Sequence, residues 1–198
     1  MTAENRPATV RVFIALAPPD HAKEELDREL RTARDTHPDM RWNRIEDWHI
    51  TLAFLGEVPV GTVSLLRPPL AALAADHRPP RLALHGSGTF DARVLWSGIE
   101  GDVDELHQLA ADVRSVVKEC GVLLEDRPLR PHLTLARARR NDDSSAAEIA
   151  ERLAGFTGCR WPASRLHLVG SNAGRGGGPV RYRDIEAWAL GDGNSAGS

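Results

Sequence analysis

The chain alternates strand-like and helix-like hydrophobic patterns from residue 10 to residue 190. The compact apolar run VRVFIALA, residues 10–17, predicts a buried strand that ends at a Pro-Pro pair. Apolar residues then recur at helical spacing and predict a helix capped by Asp20, with a core-facing stripe of Ala22, Leu26, Leu30 and Ala33. Further strands are expected near residues 48–56, 81–85, 94–99, 133–136, 166–169 and 185–190.

Three more helices are expected between these strands. Residues 61–76 favour a helix, but Pro68 and Pro69 predict that it is short or broken. A clearer helical stripe begins at Asp102 and is expected to end at Gly121. The sequence SAAE, residues 145–148, matches a capping box and predicts the start of another helix.

The chain of 198 residues has the length of one domain, and no low-complexity linker divides it. We therefore expect a single domain over residues 10–190, with a disordered N-terminus at residues 1–9 and a flexible tail at residues 191–198.

Composition narrows the class of protein but not its activity. Hydrophobic residues make up 41% and charged residues 27%, which is typical of a water-soluble globular protein. Two cysteines without a CxxC spacing exclude a disulfide framework and a cysteine zinc site, so we expect a cytoplasmic protein. No apolar run predicts a membrane span, and the net charge of -3 leaves the recognition of any anion to a local cluster.

A short motif occurs twice, as HITLA at residues 49–53 and HLTLA at residues 132–136. Because side chains alternate between the two faces of a strand, His49 and Thr51 project together, as do His132 and Thr134. Ile50, Leu52 and Phe54 are expected to project to the opposite face and into the core, as are Leu133 and Leu135. The duplication indicates two similar lobes that face one another, with both His/Thr pairs lining one cleft.

The segments around these motifs resemble the two-histidine (2H) phosphoesterases. Within them the chain is similar to the RNA 2',3'-cyclic phosphodiesterases, also called 2'-5' RNA ligases. The matching segments, in the order of the family, are RVFIALAPP, RWNRIEDWHITLAFLGEV, VLWSGIE, RPLRPHLTLARAR and GGGPVRYRDIEAWAL. The resemblance implies an α+β bilobal fold, in which two antiparallel sheets are related by a pseudo-twofold axis, with flanking helices and a central cleft.

The resemblance also implies an activity. It is the hydrolysis of 2',3'-cyclic phosphate ends of RNA or nucleotides to 2'-phosphomonoesters, with reversible 2'-5' RNA ligation as a side reaction. Such hydrolysis needs a base for water, an acid for the leaving ribose oxygen and hydrogen bonds to the phosphoryl oxygens. We expect His49 and His132 to be catalytic, with His49 as the acid, and Thr51 and Thr134 to bind phosphate. We expect no metal and no cofactor, an RNA or nucleotide partner, no membrane partner and a monomer.

Two further residues are candidates with open alternatives. Arg137 matches a family arginine and is expected to bind phosphate, but strict alternation places it opposite His132. A strand end or a bulge has to turn it inward; otherwise it is a surface cation. Phe13 is expected to stack a base at the mouth of the cleft, and the alternative is a plain core phenylalanine.

Two alternative functions remain open on the sequence. The same site would fit a 2'-5' oligoadenylate or an ADP-ribose cyclic phosphate as substrate. A non-catalytic module that binds RNA ends is the alternative from another class, although Arg or Lys would bind phosphate better than histidine.

Overall fold

A computed structural model of the chain describes residues 8–139, 142, 144–172 and 180–191. Residues 1–7 of the expected disordered N-terminus, and residues 192–198 of the expected tail, lie outside the described residues. Within the described part, Thr9 already belongs to the first strand, so the ordered domain begins one residue earlier than expected.

The described residues form nine strands and four helices. The strands are β1 (Thr9–Leu16), β2 (Arg41–Trp42), β3 (Ile50–Pro59), β4 (Arg81–Phe90), β5 (Val94–Gly101), β6 (His132–Arg137), β7 (Trp161–Pro162), β8 (Arg165–Ser171) and β9 (Tyr182–Ala189). The helices are α1 (Asp20–Thr36), α2 (Val60–Asp76), α3 (Val103–Glu119) and α4 (Ser145–Leu153). The sequence patterns predicted all four helices and seven of the strands. They missed the two-residue strands β2 and β7, which are too short to show a periodicity.

The strands pair in the order β7-β4-β5-β6-β3-β1-β8-β9, and β2 pairs with β6. All the pairings are antiparallel. One half of this order, β3-β1-β8-β9, forms the first lobe, and β7-β4-β5-β6 with β2 forms the second. The expected α+β fold with two antiparallel sheets is thus confirmed, and the two sheets are hydrogen-bonded to one another where β3 meets β6.

One hydrophobic core runs through both lobes. The predicted stripe of α1 is buried, because Ala22, Leu26, Leu30 and Ala33 all belong to this core. Helix α4 packs against β4 and β5, whereas α2 and α3 pack against strands of the first lobe. Helix α3 ends at Glu119, and Gly121 follows its cap as the predicted terminating glycine. The φ of +82° at Gly121 is one that a residue with a side chain adopts only at a cost in strain.

The prediction that Pro68 and Pro69 break the second helix is wrong, since α2 runs unbroken across them. Buried side chains before and after the prolines, including Leu66 and Leu70, hold both halves in the core. Pro69 has no N–H for the carbonyl of Leu65, and the Sγ of Cys120 lies 3.8 Å from that oxygen. A thiol donor from α3 therefore replaces part of the missing hydrogen bond.

Both predicted side-chain caps are also wrong. The cap of α1 is Pro19, and the structure shows no side-chain cap there, with Asp20 as the first helical residue. At α4 the capping box does not form. Instead Oδ1 of Asp142 accepts the backbone N–H of Ser145 at 3.0 Å. Hydrogen bonding by the side chain of Ser145, and next by its backbone, lowers the pKa of Asp142. In both helices another acceptor binds the backbone N–H groups at the start of the helix. The carbonyl oxygen of Pro19 accepts the N–H groups of Ala22 and Lys23, and the carboxylate of Asp142 accepts that of Ser145.

No helix in the described part of the chain is long and apolar enough to cross a membrane.

Candidate active site

The two lobes meet at one backbone pairing, between Ile50 at the start of β3 and Leu133 in β6. Both of these side chains are fully buried in the core. Because the strands are antiparallel, the residues that flank Ile50 lie beside the residues that flank Leu133. The pairing thus fixes the relative positions of the two HxT motifs.

His49 and Thr51 flank Ile50, and His132 and Thr134 flank Leu133. The antiparallel register places His49 beside Thr134 and Thr51 beside His132, which is a local twofold relation. All four side chains are half-buried and point away from the core face that Ile50 and Leu133 occupy. The structure therefore brings both predicted His/Thr pairs to one face of the joined sheets.

Each motif contains a β-bulge at the residue that directly follows its threonine. Along β1 and β3 the register shifts so that Leu52 is the extra residue, and along β5 and β6 the extra residue is Leu135. The burial patterns of residues 49–54 and 132–137 are identical as a result, with two consecutive buried residues followed by an exposed one. Phe54 and Arg137 occupy this exposed position in the two motifs.

Arg137 is turned onto the histidine face by the bulge, not left on the opposite face as strict alternation would have it. Its guanidinium is close enough to Tyr182 for its charge to lower the pKa of that phenol, although burial has the larger effect and raises it. Tyr182 in turn contacts the ring of His49, with 5.2 Å between ring centres. Arg137 thus lies on the side of the cleft that holds His49.

Both histidine rings are anchored in the same way. The Nδ1 of His49 lies 2.6 Å from the carbonyl oxygen of Asp47, and the Nδ1 of His132 lies 2.6 Å from that of Arg130. A carbonyl oxygen only accepts, so each Nδ1 carries the hydrogen and donates it. The neutral tautomer then leaves Nε2 of each ring as the nitrogen available to exchange a proton.

His49 sits among aromatic rings. Phe13 stacks on it at 4.5 Å with an angle of 29° between planes, and the edge of Tyr182 closes a second side. Burial lowers the pKa of His49, the hydrogen bond to Asp47 opposes this, and positive charge on His132 lowers it further. The two imidazoles are therefore coupled electrostatically across the bridge.

The structure contradicts the expected base-stacking role of Phe13. Its side chain is 2% exposed, and its ring packs on His49 and on Tyr182, whose centre is 5.5 Å away. With its faces covered it has no room for a base, so the alternative of a packed phenylalanine is the one that fits. It supports the imidazole of His49.

A recess of about 860 Å³ lies beside His132. This His132 recess is lined by Thr51, Phe54, Phe90, Arg127, Arg130 and His132, among others. Phe90 meets the ring of His132 edge-on at 4.9 Å. Phe54 is 50% exposed and has the guanidinium of Arg11 4.8 Å from its ring centre, so an aromatic surface faces the recess.

A second recess of about 440 Å³ lies beside His49. This His49 recess is lined by Lys23, Asp47, His49, Tyr182, Arg183 and Asp184, among others. The expectation that Phe54 lies in the core is wrong, because the bulge at Leu52 turns it outward and leaves it 50% exposed. The residue patterns had not singled out Tyr182 or Lys23. The equivalent sixth positions of HITLAF and HLTLAR could have indicated Phe54, whereas no local pattern marks the other two.

No group of three or more histidine, cysteine or acidic side chains that could hold a metal occurs within the described residues.

The chain is similar in sequence and in fold to known proteins. A family model described as the 2'-5' RNA ligase superfamily matches residues 11–175. The RNA 2',3'-cyclic phosphodiesterase of Geobacillus stearothermophilus is 40% identical over 129 residues, which are 63% of this chain and 41% of that protein. The chain thus spans about two fifths of the length of that relative.

Other relatives match over their whole length. The RNA 2',3'-cyclic phosphodiesterase of Escherichia coli is 31% identical over 188 residues, which are 91% of this chain and 96% of that protein. The crystal structure of E. coli LigT complexed with 3'-AMP superposes with a TM-score of 0.67 at 27% identity, covering 92% of this chain and 99% of that chain. The family model spans most of the sequence and includes both HxT motifs, so this chain belongs to the 2'-5' RNA ligase superfamily.

Proposed function

We propose that this protein hydrolyses 2',3'-cyclic phosphate ends of RNA or nucleotides to 2'-phosphomonoesters, with His49 and His132 as the catalytic pair. The observation that carries the proposal is the pairing of Ile50 with Leu133, which sets two imidazoles with free Nε2 atoms on one face. The name of the two curated relatives and the nucleotide bound by E. coli LigT support the same substrate class.

The reaction is an in-line displacement at phosphorus. One imidazole takes a proton from water as the water oxygen bonds to phosphorus. The bond from phosphorus to O3' breaks, and the other imidazole, as imidazolium, gives its proton to O3'. The phosphate stays on O2'. With the 5'-hydroxyl of a second strand in place of water as the nucleophile, the same steps join two ends through a 2'-5' linkage.

The remaining site residues act on the non-bridging oxygens. The hydroxyls of Thr51 and Thr134 can each donate a hydrogen bond to phosphate without adding charge. Arg137 adds a positive charge on the side of His49, where its guanidinium can pair with an anionic oxygen. The charge that develops in the transition state is thus balanced by groups that the two bulged strands hold in place.

The electrostatic environment of His49 bears on which of the two histidines acts as the acid and which as the base. We expect His49 to be the acid and His132 the base, whereas in the unliganded protein burial and the charge of His132 both favour a neutral His49. The dependence of the rate on the leaving group in each histidine variant assigns the acid.

We also propose that the protein acts as a cytoplasmic monomer. Both histidines and both threonines come from one chain, so the site is complete without a partner. Both cysteines are free, as a reducing compartment would keep them.

Replacement of either catalytic histidine should abolish turnover without unfolding the protein. In His49→Ala and His132→Ala we expect kcat on 2',3'-cyclic AMP to fall by about a hundredfold or more, since each loses a proton-transfer group. His107→Ala is the matched control, because His107 is exposed on α3 and lines neither recess. Near-normal kcat in both variants, with unchanged circular dichroism, would contradict the proposal.

The same variants assign the acid. On a phosphodiester with a nitrophenolate leaving group, which needs no proton, only the variant that lacks the acid should regain activity relative to the wild type. Rescue of His49→Ala supports His49 as the acid, and rescue of His132→Ala reverses the assignment.

The pKa of His49 should lie below the ordinary histidine value of 6.5, because burial disfavours its charged form. In His132→Gln the pKa should rise but stay below 6.5, since burial is the larger cause. Titration of the imidazole resonances by NMR measures both values. A folded pKa below the unfolded one also means that this ring lowers the free energy of unfolding as the pH falls through 6.5.

A pKa of His49 at or above the ordinary value would contradict the effect of its burial. A pKa that does not respond to the loss of His132 would contradict the coupling of the two rings.

We propose that Phe54, in place of Phe13, offers an aromatic face to a substrate base in the His132 recess. Phe54→Ala should raise the KM for 2',3'-cyclic AMP by about tenfold with little change in kcat, since stacking contributes about 1–3 kcal/mol per base. Phe54→Tyr should retain the wild-type KM. Leu65→Ala, an exposed apolar residue on α2, is the control. An unchanged KM in Phe54→Ala would exclude this contact.

A further inference from the structure

Lys23 is a buried cation that the proposed chemistry does not use. It lies in the first turns of α1, its side chain is 7% exposed, and it lines the His49 recess. The other buried polar side chain of the described residues is Ser97, whose hydroxyl is satisfied by the carbonyl of Gly86 at 3.0 Å. Lys23 is thus the one charged side chain in this part of the chain that the fold buries.

The ammonium of Lys23 has no ionic partner among the described residues. No carboxylate oxygen there lies within 4.0 Å of it, and no hydrogen bond from it is formed. Four carboxylates are near enough to raise its pKa, yet burial outweighs them and lowers it; they are Asp20, Glu46, Asp47 and Asp184. The stem of Lys23 is buried while its ammonium stays open to the His49 recess, where it can pair with an anion.

Most of the surrounding carboxylates are already engaged. Arg44 pairs with Glu46 and Asp47, and Nδ1 of His167 lies 3.0 Å from Oδ2 of Asp184. Two further cations, Arg181 and Arg183, line the same recess without an ion pair to any described carboxylate. The recess therefore presents three cations, Lys23, Arg181 and Arg183, that form no ion pair within 4.0 Å with a described carboxylate.

An anion held by Lys23 differs from the phosphate under attack. The His49 recess contains His49, but its lining includes neither threonine of the HxT motifs, nor His132. The reacting phosphorus has to lie where both imidazoles reach it, which requires His132 as well as His49. The recess of about 440 Å³ is large enough for a second phosphate and part of its nucleoside.

We propose that Lys23 binds the phosphate on the 5' side of the terminal nucleotide, so that the protein distinguishes the end of an RNA chain from a free 2',3'-cyclic nucleoside phosphate. In a chain that ends in a cyclic phosphate, this 5' phosphate is the next anion along the backbone. The inference rests on the proposed function, because it takes the cyclic phosphate to lie between His49 and His132. Lys23 acts here as a binding residue and takes no part in proton transfer.

The test compares two substrates that differ only in this phosphate: adenosine 2',3'-cyclic phosphate with and without a 5'-phosphate. Lys23→Met removes the charge and keeps the length of the side chain. It should raise the KM for the 5'-phosphorylated substrate by about ten- to a hundredfold and leave its kcat within about twofold. The unphosphorylated substrate should be unaffected. Lys23→Arg should retain the preference, and Lys118→Met, at the other lysine of the chain and exposed on α3, is the control.

A binding measurement distinguishes a failure of the Lys23 subsite from a failure of the proposed function. By calorimetry the wild type should bind adenosine 2',5'-bisphosphate at least about tenfold more tightly than 2'-AMP, and Lys23→Met should lose this difference. If the wild type shows this preference but hydrolyses neither cyclic phosphate, the proposed function fails and the Lys23 subsite stands. Equal losses on both substrates or both ligands, or no loss on either, would overturn the subsite.

Discussion

The site depends on one backbone pairing, between Ile50 and Leu133. Each lobe folds its own antiparallel sheet, and this bridge is where the two sheets become one. Since antiparallel pairing places the neighbours of one residue beside those of the other, the two HxT motifs are brought together by main-chain geometry. A side-chain contact could be lost by one substitution, whereas this alignment is built into the register of buried strands.

The two motifs are equivalent in backbone and different in chemistry. Each holds its histidine through a carbonyl two residues earlier, and each contains a bulge that turns its sixth residue onto the cleft face. That residue is Phe54 in one motif and Arg137 in the other. The backbone repeat thus supplies two similar ring positions, and the side chains around them make one recess more aromatic and the other more charged.

Much of this could be predicted from the sequence because strand alternation is local. The shared face of each His/Thr pair follows from a period of two, and the helical stripe of α1 from a period of 3.6. Phe13 shows the limit of local reasoning: an aromatic residue in a strand stacks a base or packs in the core, and only tertiary contacts decide which. The position of Arg137 depended on a bulge that the neighbouring strand β5 defines. The burial of Lys23 likewise comes from strands and loops distant in sequence.

The central claim is that the paired imidazoles open a cyclic phosphate by proton transfer alone. The most direct measurement is incubation of the protein with 2',3'-cyclic AMP in an excess of chelator, followed by chromatographic identification of the monophosphate formed. The account predicts 2'-AMP, at a rate that added divalent metal does not change. No product until a metal is added, or 3'-AMP as the product, would contradict it.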